Sequence, residues 1–444
     1  MGEVVSDANE NEVAASEESN LDPRVARTMR LSVVEGAVWV MYNTWATGSI
    51  LTGFLIWLGA TPFQLGLVGS LPLIAQFASP FAAWVASNRG NRRSLLMLAE
   101  AASRILWLIP ILMPLLPLHG ATRIWVILAA LAFVQALHAG GGTIWQGIMG
   151  DLVPAKRRGA YFGTRNGICN VTSIIAAFSG GFIADRLPAP QDFQVILILA
   201  LIAATIGWAT FPFHYDPNPE PRPVRWTDNV AAPLRDRAFR KFMTFGAYWS
   251  VVLMVSSPFV FPFFLHLKFS YTDLAWYSSA AALVGLFSYG WWGRISDRVG
   301  NKAVLAITTL LAGTLLPGVW LLTGLTGLSW LLVLGGAIDG FAFSGVNTAI
   351  FNLTLVTTRP ETRMSYLAVF GLVSGAFGFV AGSLSGVLLG SLTGVAALGA
   401  NGPYYVLFAL AALGRSVAWL LLRRVPEAGA LGVRAAARSL ARRA

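Results

Sequence analysis

Runs of apolar residues, each long enough to cross a membrane as a helix, alternate with short polar loops between residues 31 and 422. A transmembrane helix needs ~20 largely apolar residues, and by that measure the chain holds two sets of six runs. The first set lies near residues 31–57, 62–86, 94–118, 123–148, 159–184 and 193–213. The second set lies near residues 242–267, 273–295, 303–324, 328–354, 365–392 and 403–422. The pattern predicts an all-α membrane protein with twelve transmembrane helices in two six-helix bundles.

Polar segments outside these runs divide the chain into parts. Residues 1–23 are acidic and nearly free of apolar clusters, which predicts a disordered cytoplasmic tail. Residues 214–241 are rich in proline and mixed charge, and they predict a cytoplasmic linker between a bundle at 24–213 and a bundle at 242–425. Residues 426–444 form a basic cytoplasmic tail.

The composition agrees with a membrane protein and excludes a soluble enzyme. Hydrophobic residues make up 55% of the chain and charged residues 12%, with a mean hydropathy of +0.63. The net charge of +11 could indicate nucleic-acid binding, but 26 of the 32 lysines and arginines fall in loops and tails on one predicted side. That asymmetry predicts a multi-pass protein of a bacterial inner membrane with both termini in the cytoplasm and no nucleic-acid partner.

Few residues are suited to metal or redox chemistry. Cys169 is the single cysteine and lies within an apolar run, so we expect it to pack in the protein. Four histidines and scattered acids supply neither a metal cluster nor a paired nucleophile and base. We therefore expect no metal, no cofactor and no enzymatic activity.

A charged loop stands between the eighth and ninth apolar runs, where residues 293–302 read GRISDRVGNK. The spelling G-x-x-x-D-R-x-G-x-K resembles the loop signature of the major facilitator superfamily, which lies between helices 2 and 3 and recurs between helices 8 and 9. The first-half copy has Ser87 where the acid is expected. Loops after the fourth and tenth runs also echo one another at a period of about 205 residues, as internal repeats of a transporter would.

The resemblance implies that this loop forms a latch that holds the cytoplasmic side shut in the outward-open state. The predicted latch residues are Gly293, Asp297, Arg298, Gly300 and Lys302, with Arg157, Arg158 and Arg363 in the loops after the fourth and tenth runs. We expect Gly293 to permit a close backbone approach, Gly300 to form the turn, and Asp297 to face the start of the fifth helix. The alternative is that the loop charges only set the topology.

In this family helices 1, 4, 7 and 10 line the central cavity, so the resemblance makes Asp339 in the tenth run the first choice for a proton-coupling or cation-binding carboxylate. The alternative is a structural acid paired with Arg415. Further candidates for the substrate or proton site are Tyr42, Asn43, Gln135, His138, Gln146, Trp249 and Asn347. His138 is suited to relaying a proton, or it is a hydrogen-bonded structural residue.

Other charges lie within the predicted spans. Glu100 and Arg104 stand four residues apart, which favours an internal ion pair on one helix. Arg165 is placed to neutralise Glu35 or Glu100, or to bind an anionic substrate. Arg415 has no charged neighbour in its own span, so we expect it to reach another helix or to extend toward the membrane surface.

These features favour a monomeric secondary active transporter that carries a small organic solute by alternating access, with protons as the expected coupling ion and the lipid bilayer as its surroundings. The alternatives are an uncoupled facilitator, or a transport-inactive sensor or assembly factor on the same scaffold. A central polar cavity that contains Asp339, His138 or Gln135 would favour the transporter. The span-4 arginine and the span-5 glycine-proline signature of drug/proton antiporters are missing, which weakens that subfamily assignment without excluding it, and the sequence indicates no substrate.

Overall fold

The computed structural model describes residues 22–154, 157–217, 220–221, 233–357, 363–425 and 427. The predicted acidic tail up to residue 21, most of the linker, and the basic tail from residue 428 lie outside the described residues. The described part of the chain is helical throughout, with short connecting loops.

The first half contains eight α-helices over the first six predicted spans. They are α1 (Pro23–Ala46), α2 (Gly48–Trp57), α3 (Pro62–Ala75), α4 (Ala78–Arg89), α5 (Arg92–Leu112), α6 (Ala121–Leu152), α7 (Arg158–Arg186) and α8 (Gln191–Trp208). Span 1 starts earlier than predicted because Asp22 caps the backbone N–H of Arg24 and Pro23 occupies the first turn. Span 1 is broken at Thr47, which is extended, and Gly48 adopts a φ of 59°.

The second half contains a further eight α-helices. They are α9 (Arg237–Met254), α10 (Val260–His266), α11 (Tyr271–Val299), α12 (Asn301–Thr326), α13 (Trp330–Thr357), α14 (Arg363–Thr393), α15 (Gly402–Val417) and α16 (Trp419–Leu422). Span 7 is broken between α9 and α10 by a 3₁₀ turn at Ser257–Phe259. Pro258 within that turn cannot donate a backbone hydrogen bond, which explains the break.

Ten helical segments of the described chain are long and apolar enough to cross a membrane. The two predicted spans outside this set are the first, which is divided between α1 and α2, and the eighth, which is α11. Tyrosine, tryptophan, serine and charged residues make α11 more polar than its neighbours, although at 29 residues it is long enough to cross. The arrangement is the predicted all-α membrane fold.

Each half has its own hydrophobic core. In the first half the core contains Phe54, Trp107 and Phe193. In the second half it contains Phe263 and Trp292 among many other aromatic side chains. The first-half core also includes Phe259, Leu389 and Leu407 of the second half, so the two cores are joined where the halves are in contact.

In each half, polar contacts also join the start of the third span to the segment after the sixth span. In the first half, Arg92 at the start of α5 forms ion pairs with Asp216 and with Asp151, the latter at 2.7 Å. In the second half, Glu427 accepts the backbone N–H of Asn301 at 2.9 Å and of Lys302 at 2.8 Å. These two sets of contacts occupy equivalent positions in the two halves, as the internal repeat predicts.

The two halves meet along α3 and α14 and along α7 and α11. A Cβ on Gly66 would overlap the carbonyl oxygen of Gly382, so the backbones of α3 and α14 are in direct contact. Asp185 of α7 accepts the backbone N–H groups of Tyr271 at 2.8 Å and Thr272 at 2.9 Å. These contacts lie at the end of the molecule that holds loops 58–61, 187–190 and 267–270, which we call the far end.

The opposite end, which we call the terminal end, holds residues 22, 90–91, 300 and 425. Span 2 divides between the two ends at residues 76–77. Its far-end part, α3, packs mainly on α14 of the other half, whereas its terminal-end part, α4, packs mainly on α6 of its own half.

Candidate functional site

A cavity of about 490 Å³ lies in the second half and reaches the first half at one residue. Asp339 on α13, Tyr277 on α11 and Arg415 on α15 line it, and Asn170 on α7 contributes from the first half. The cavity is within the size range of small-molecule sites. Asp339 lies in the wall of this cavity, most of whose lining residues are apolar or aromatic.

Asp339 is held by a close backbone packing of two helices. A Cβ on Gly340 would overlap the carbonyl oxygen of Ala281, and a Cβ on Gly336 would overlap that of Tyr277, so α13 lies directly against α11. Tyr277 then donates its hydroxyl proton to Oδ2 of Asp339 at 3.2 Å. The carboxylate is half-buried, and in the described part of the chain no basic side chain forms an ion pair with it.

Arg415 is fully buried and is held by uncharged acceptors. Its Nη2 donates to Ser256 Oγ at 2.7 Å and to the carbonyl oxygen of Leu253 at 3.1 Å. The broken helix of span 7 presents these acceptors, because residues after Met254 leave the regular α-helix. The guanidinium also lies 5.7 Å from the ring of Trp320. The direct ion pair between Asp339 and Arg415 considered from the sequence is therefore not formed among the described contacts.

A smaller cavity of about 200 Å³ lies beside the first. Asn43, Thr47 and Ser278 line it, and Phe261 lines both cavities. Of the candidate polar residues of span 1, Asn43 thus faces open space near the contact between the halves.

Tyr42 and His138 face the interior of the first half instead. His138 Nε2 lies 3.2 Å from Ser103 Oγ and 3.9 Å from Glu100 Oε2, and its ring meets that of Tyr42 edge-on at 5.5 Å. Trp107 donates to the Tyr42 hydroxyl. Both residues belong to a buried hydrogen-bonded cluster and line neither cavity.

The intramembrane charges of the first half are paired. Arg104 forms an ion pair with Glu100 at 2.5 Å, as the four-residue spacing predicts. Arg165 lies 3.4 Å from Glu35, one of the two acids that the sequence left open. Arg165 also covers the ring of Trp145 at 4.4 Å.

The remaining candidate residues of the spans do not line either cavity, although Trp249 and Asn347 contact residues that line the main one. Trp249 is buried in the second core against Phe343. Asn347 donates to the Tyr289 hydroxyl at 3.3 Å. Gln135 is half-buried and Gln146 is exposed.

The hydrogen bonds of the predicted latch loop that involve described residues lie within the second half. Gly300 forms the turn with a φ of 93°, and Lys302 donates from Nζ to the carbonyl oxygen of Val425 at 2.9 Å. Asp297 and Arg298 are exposed. The close approach expected at Gly293 is absent, because a Cβ there would meet no atom within 4 Å.

The arginines proposed to face the latch lie after the fourth and tenth spans. Arg158 donates from Nε to the carbonyl oxygen of Val153 at 3.1 Å and also contacts that of Gly150. Arg157 is half-buried and immediately precedes α7. The side chain of Arg363 lies outside the described part of the chain.

Sequence reasoning missed several residues of the main cavity. Tyr277, Tyr289, Trp320 and Asn170 were not singled out, although all line it. Asp185, which joins the two halves, was also missed. An aspartate at the end of one span together with the Ser270-to-Asp273 capping box at the start of another would have been a usable signal.

Comparison with known proteins places the chain among membrane transporters. A family model described as Major Facilitator Superfamily matches residues 36–382 and 250–443. An uncharacterised protein from the sodM 3′ region of Geobacillus stearothermophilus is 27% identical over 168 residues, which is 38% of this chain and 75% of that protein.

Solved structures of two transporters are also similar. A bacterial homologue of the human lysosomal transporter Spinster, in an inward-facing and unoccupied conformation, has a TM-score of 0.64 at 16% identity and covers 91% of this chain and 95% of its own. The nucleoside transporter NupG has a TM-score of 0.65 at 15% identity, with 91% and 99% covered. At these identities the similarity concerns the fold alone.

Proposed function

Because the chain belongs to the major facilitator superfamily, we propose that it is a secondary active transporter that carries a small organic solute by alternating access. The observation that carries this proposal is the cavity of about 490 Å³ that contains Asp339 and reaches from the second half to Asn170 of the first. A scaffold without a transport role would have no need to keep a carboxylate beside open space within the membrane.

Asp339 is the proposed coupling residue, and protons are the proposed coupling ion. A carboxylate inside a membrane protein is costly to keep charged without a partner, so proton binding and solute binding at the same group are energetically linked. His138 lies in the interior of the first half beside Glu100, so we assign it no direct part in solute binding.

The proposed orientation puts the terminal end in the cytoplasm of a bacterial cell, with the transporter acting as a monomer. The excess of lysine and arginine at that end supports this orientation. The contacts of α3 with α14 and of Asp185 with α11 at the far end support an inward-facing assignment for this conformation.

The test is solute flux in proteoliposomes with and without an imposed pH gradient, for wild type and Asp339→Asn. We expect gradient-driven flux in wild type and its loss, by at least about tenfold, in the variant, because an amide cannot exchange a proton in this range. Asp22→Asn is the matched control, since Asp22 caps α1 outside the membrane and asparagine is an equally good cap.

Two outcomes would change the assignment. A flux that is the same with and without the pH gradient, and the same in wild type and Asp339→Asn, would indicate an uncoupled facilitator. Absence of flux for a broad metabolite panel, with protein shown to be folded by thermal unfolding, would overturn the transporter proposal in favour of a sensor or assembly factor.

A further inference from the structure

The chemistry of the main cavity restricts the class of solute that it can hold. We infer that it binds organic monocations, that is, solutes with a protonated or quaternary amine on an aromatic or aliphatic body. This inference rests on the proposed function, because it names the solute for the same site.

Asp339 supplies the anionic partner. Its carboxylate is half-buried and lines the cavity, and Tyr277 gives it the one hydrogen bond found in the described part of the chain. A carboxylate has about four acceptor positions, so most of its capacity is free. An ammonium group placed there would form a charge-assisted hydrogen bond with the carboxylate.

Aromatic side chains supply the rest of the site. Several rings line the same cavity as the carboxylate, namely Phe261, Tyr277, Tyr289, Trp320 and Phe343. Aromatic faces attract cations and also accept apolar groups. A carboxylate surrounded by rings is therefore suited to an amine that carries an apolar body.

The positive charges near the site are unavailable to an anionic solute. Arg415 lines the cavity but has no exposed surface, and its Nη2 atom points to Ser256 and Leu253. Arg104 and Arg165 are each paired with a glutamate in the first half. Of the two charged residues among the described lining of the cavity, Asp339 is therefore the one that a solute can reach.

The opposing possibility is a zwitterion that also engages Arg415. The Nε atom of Arg415 is buried and has no hydrogen-bond partner among the described residues, so a carboxylate could in principle use it if the side chain moved. The experiment must separate a solute with one positive charge from a solute with both charges on the same body.

Two matched probe series provide that separation. One has a phenyl body: 2-phenylethylamine, phenylalanine, 3-phenylpropionate and 2-phenylethanol. The other has an indole body: tryptamine, tryptophan, indole-3-propionate and tryptophol. Binding to the purified full-length protein is measured by calorimetry and by the shift in unfolding temperature, neither of which requires transport.

We expect the amine of each series to bind at least about tenfold tighter than its three relatives, the ratio that one charge-assisted hydrogen bond supports. Asp339→Asn should reduce the ratio of amine to alcohol affinity to about one. Asp22→Asn, remote from the cavity, should keep the wild-type ratio.

Other results would overturn the inference. Tighter binding of either amino acid than of its amine would assign the site to zwitterions, and tighter binding of a carboxylate would assign it to anions. Failure of both amines to bind a folded protein would also reject it. Amine binding without flux would instead reject the proposed transport function, and gradient-driven flux of solutes other than amines would reject only the solute class.

Discussion

Glu100 and Arg104 illustrate how a charged residue is accommodated inside the first half. Arg104 pairs with Glu100 at 2.5 Å and also donates from Nη2 to the carbonyl oxygen of Ala204 at 2.8 Å on α8. His138 adds a third titratable group 3.9 Å from the same glutamate. Buried charges that are paired and hydrogen-bonded in this way are costly to disrupt singly, so the cluster fixes α5 against α6 and α8.

His214, just outside the membrane-spanning segments, predicts a pH dependence of stability. Burial first, and the nearby charge of Arg93 second, lower the pKa of His214 to about 4. Its pKa in the unfolded chain is ~6.5, so the unfolded chain binds the proton more readily. The stabilising contribution is complete above pH ~6.5 and decreases as the pH falls toward 4. At pH 5 the loss should be about 2 kcal/mol.

The measurement is the unfolding temperature of the purified protein between pH 7.5 and 5. We expect wild type to lose stability over that range and His214→Gln to lose distinctly less. His119→Gln is the control, because His119 is exposed in the loop after α5. A pH profile of His214→Gln identical to that of wild type would contradict the assignment.

Single site residues could be predicted from the sequence where their residue type is rare within the spans. They could not be predicted where the residue type is common there. Asp339 was identified because an acid within an apolar run is unusual. Tyr277 and Asn170 were not, because neutral polar residues recur in most of the spans. It was also not predictable that the His138 side chain faces the interior of the first half, since this depends on how α6 is rotated about its axis relative to α5.

Twelve spans were predicted, and ten helical segments of the described chain are long and apolar enough to cross a membrane. The positions of the spans were therefore predicted better than the continuity of their helices. Pro258 marked the break in span 7, because proline removes a backbone donor. The break of span 2 at residues 76–77 carries a similar signal, because Pro80 cannot donate to the carbonyl oxygen of Gln76. The break of span 1 at Thr47 is marked only by Gly48. The division of span 2 also separates two packing partners, since α3 packs mainly on α14 of the other half and α4 mainly on α6 of its own half.

Asp185 predicts a latch at the far end. It caps the start of α11 from the other half by accepting two backbone N–H groups, which also satisfies the positive end of the helix dipole. Removing the cap should cost the closed far end about 1–2 kcal/mol. We therefore expect Asp185→Ala to shift the population toward the far-end-open state by about tenfold.

Spin labels on either side of the far end would measure that shift as a change in the distance distribution. Asp273→Ala is a matched control: Asp273 caps the same helix, but from within its own half through Ser270. It should lower stability without favouring either state. Equal shifts in both variants would show that Asp185 only stabilises the helix.

For the molecule as a whole, the proposed alternating access requires a second latch that acts when the far end is open, and Asp297 is the predicted one. It is exposed in the present conformation, so Asp297→Asn should change the unfolding temperature little, by under about 0.5 kcal/mol in stability. We expect it to reduce the far-end-open population, opposite in sign to Asp185→Ala.

The same spin-labelled pairs report this effect, with Ser87→Ala as the control in the equivalent loop of the first half. A far-end-open population unchanged by Asp297→Asn, together with unchanged flux, would leave the loop charges with a role in topology only.

The balance of charge inside the spans has an electrical consequence. Glu35 and Glu100 form ion pairs with Arg165 and Arg104. The negative charge of Asp339 is balanced by the positive charge of Arg415, with which it forms no direct ion pair. With all six ionised, the empty protein would move no net charge as its halves rotate in the proposed transport cycle, whereas a bound monovalent cation or proton would add one. A membrane voltage of 100 mV acts on one such charge with about 2.3 kcal/mol. An exchange of one cation for one proton would cancel that work, and the pH gradient alone would then drive the cycle.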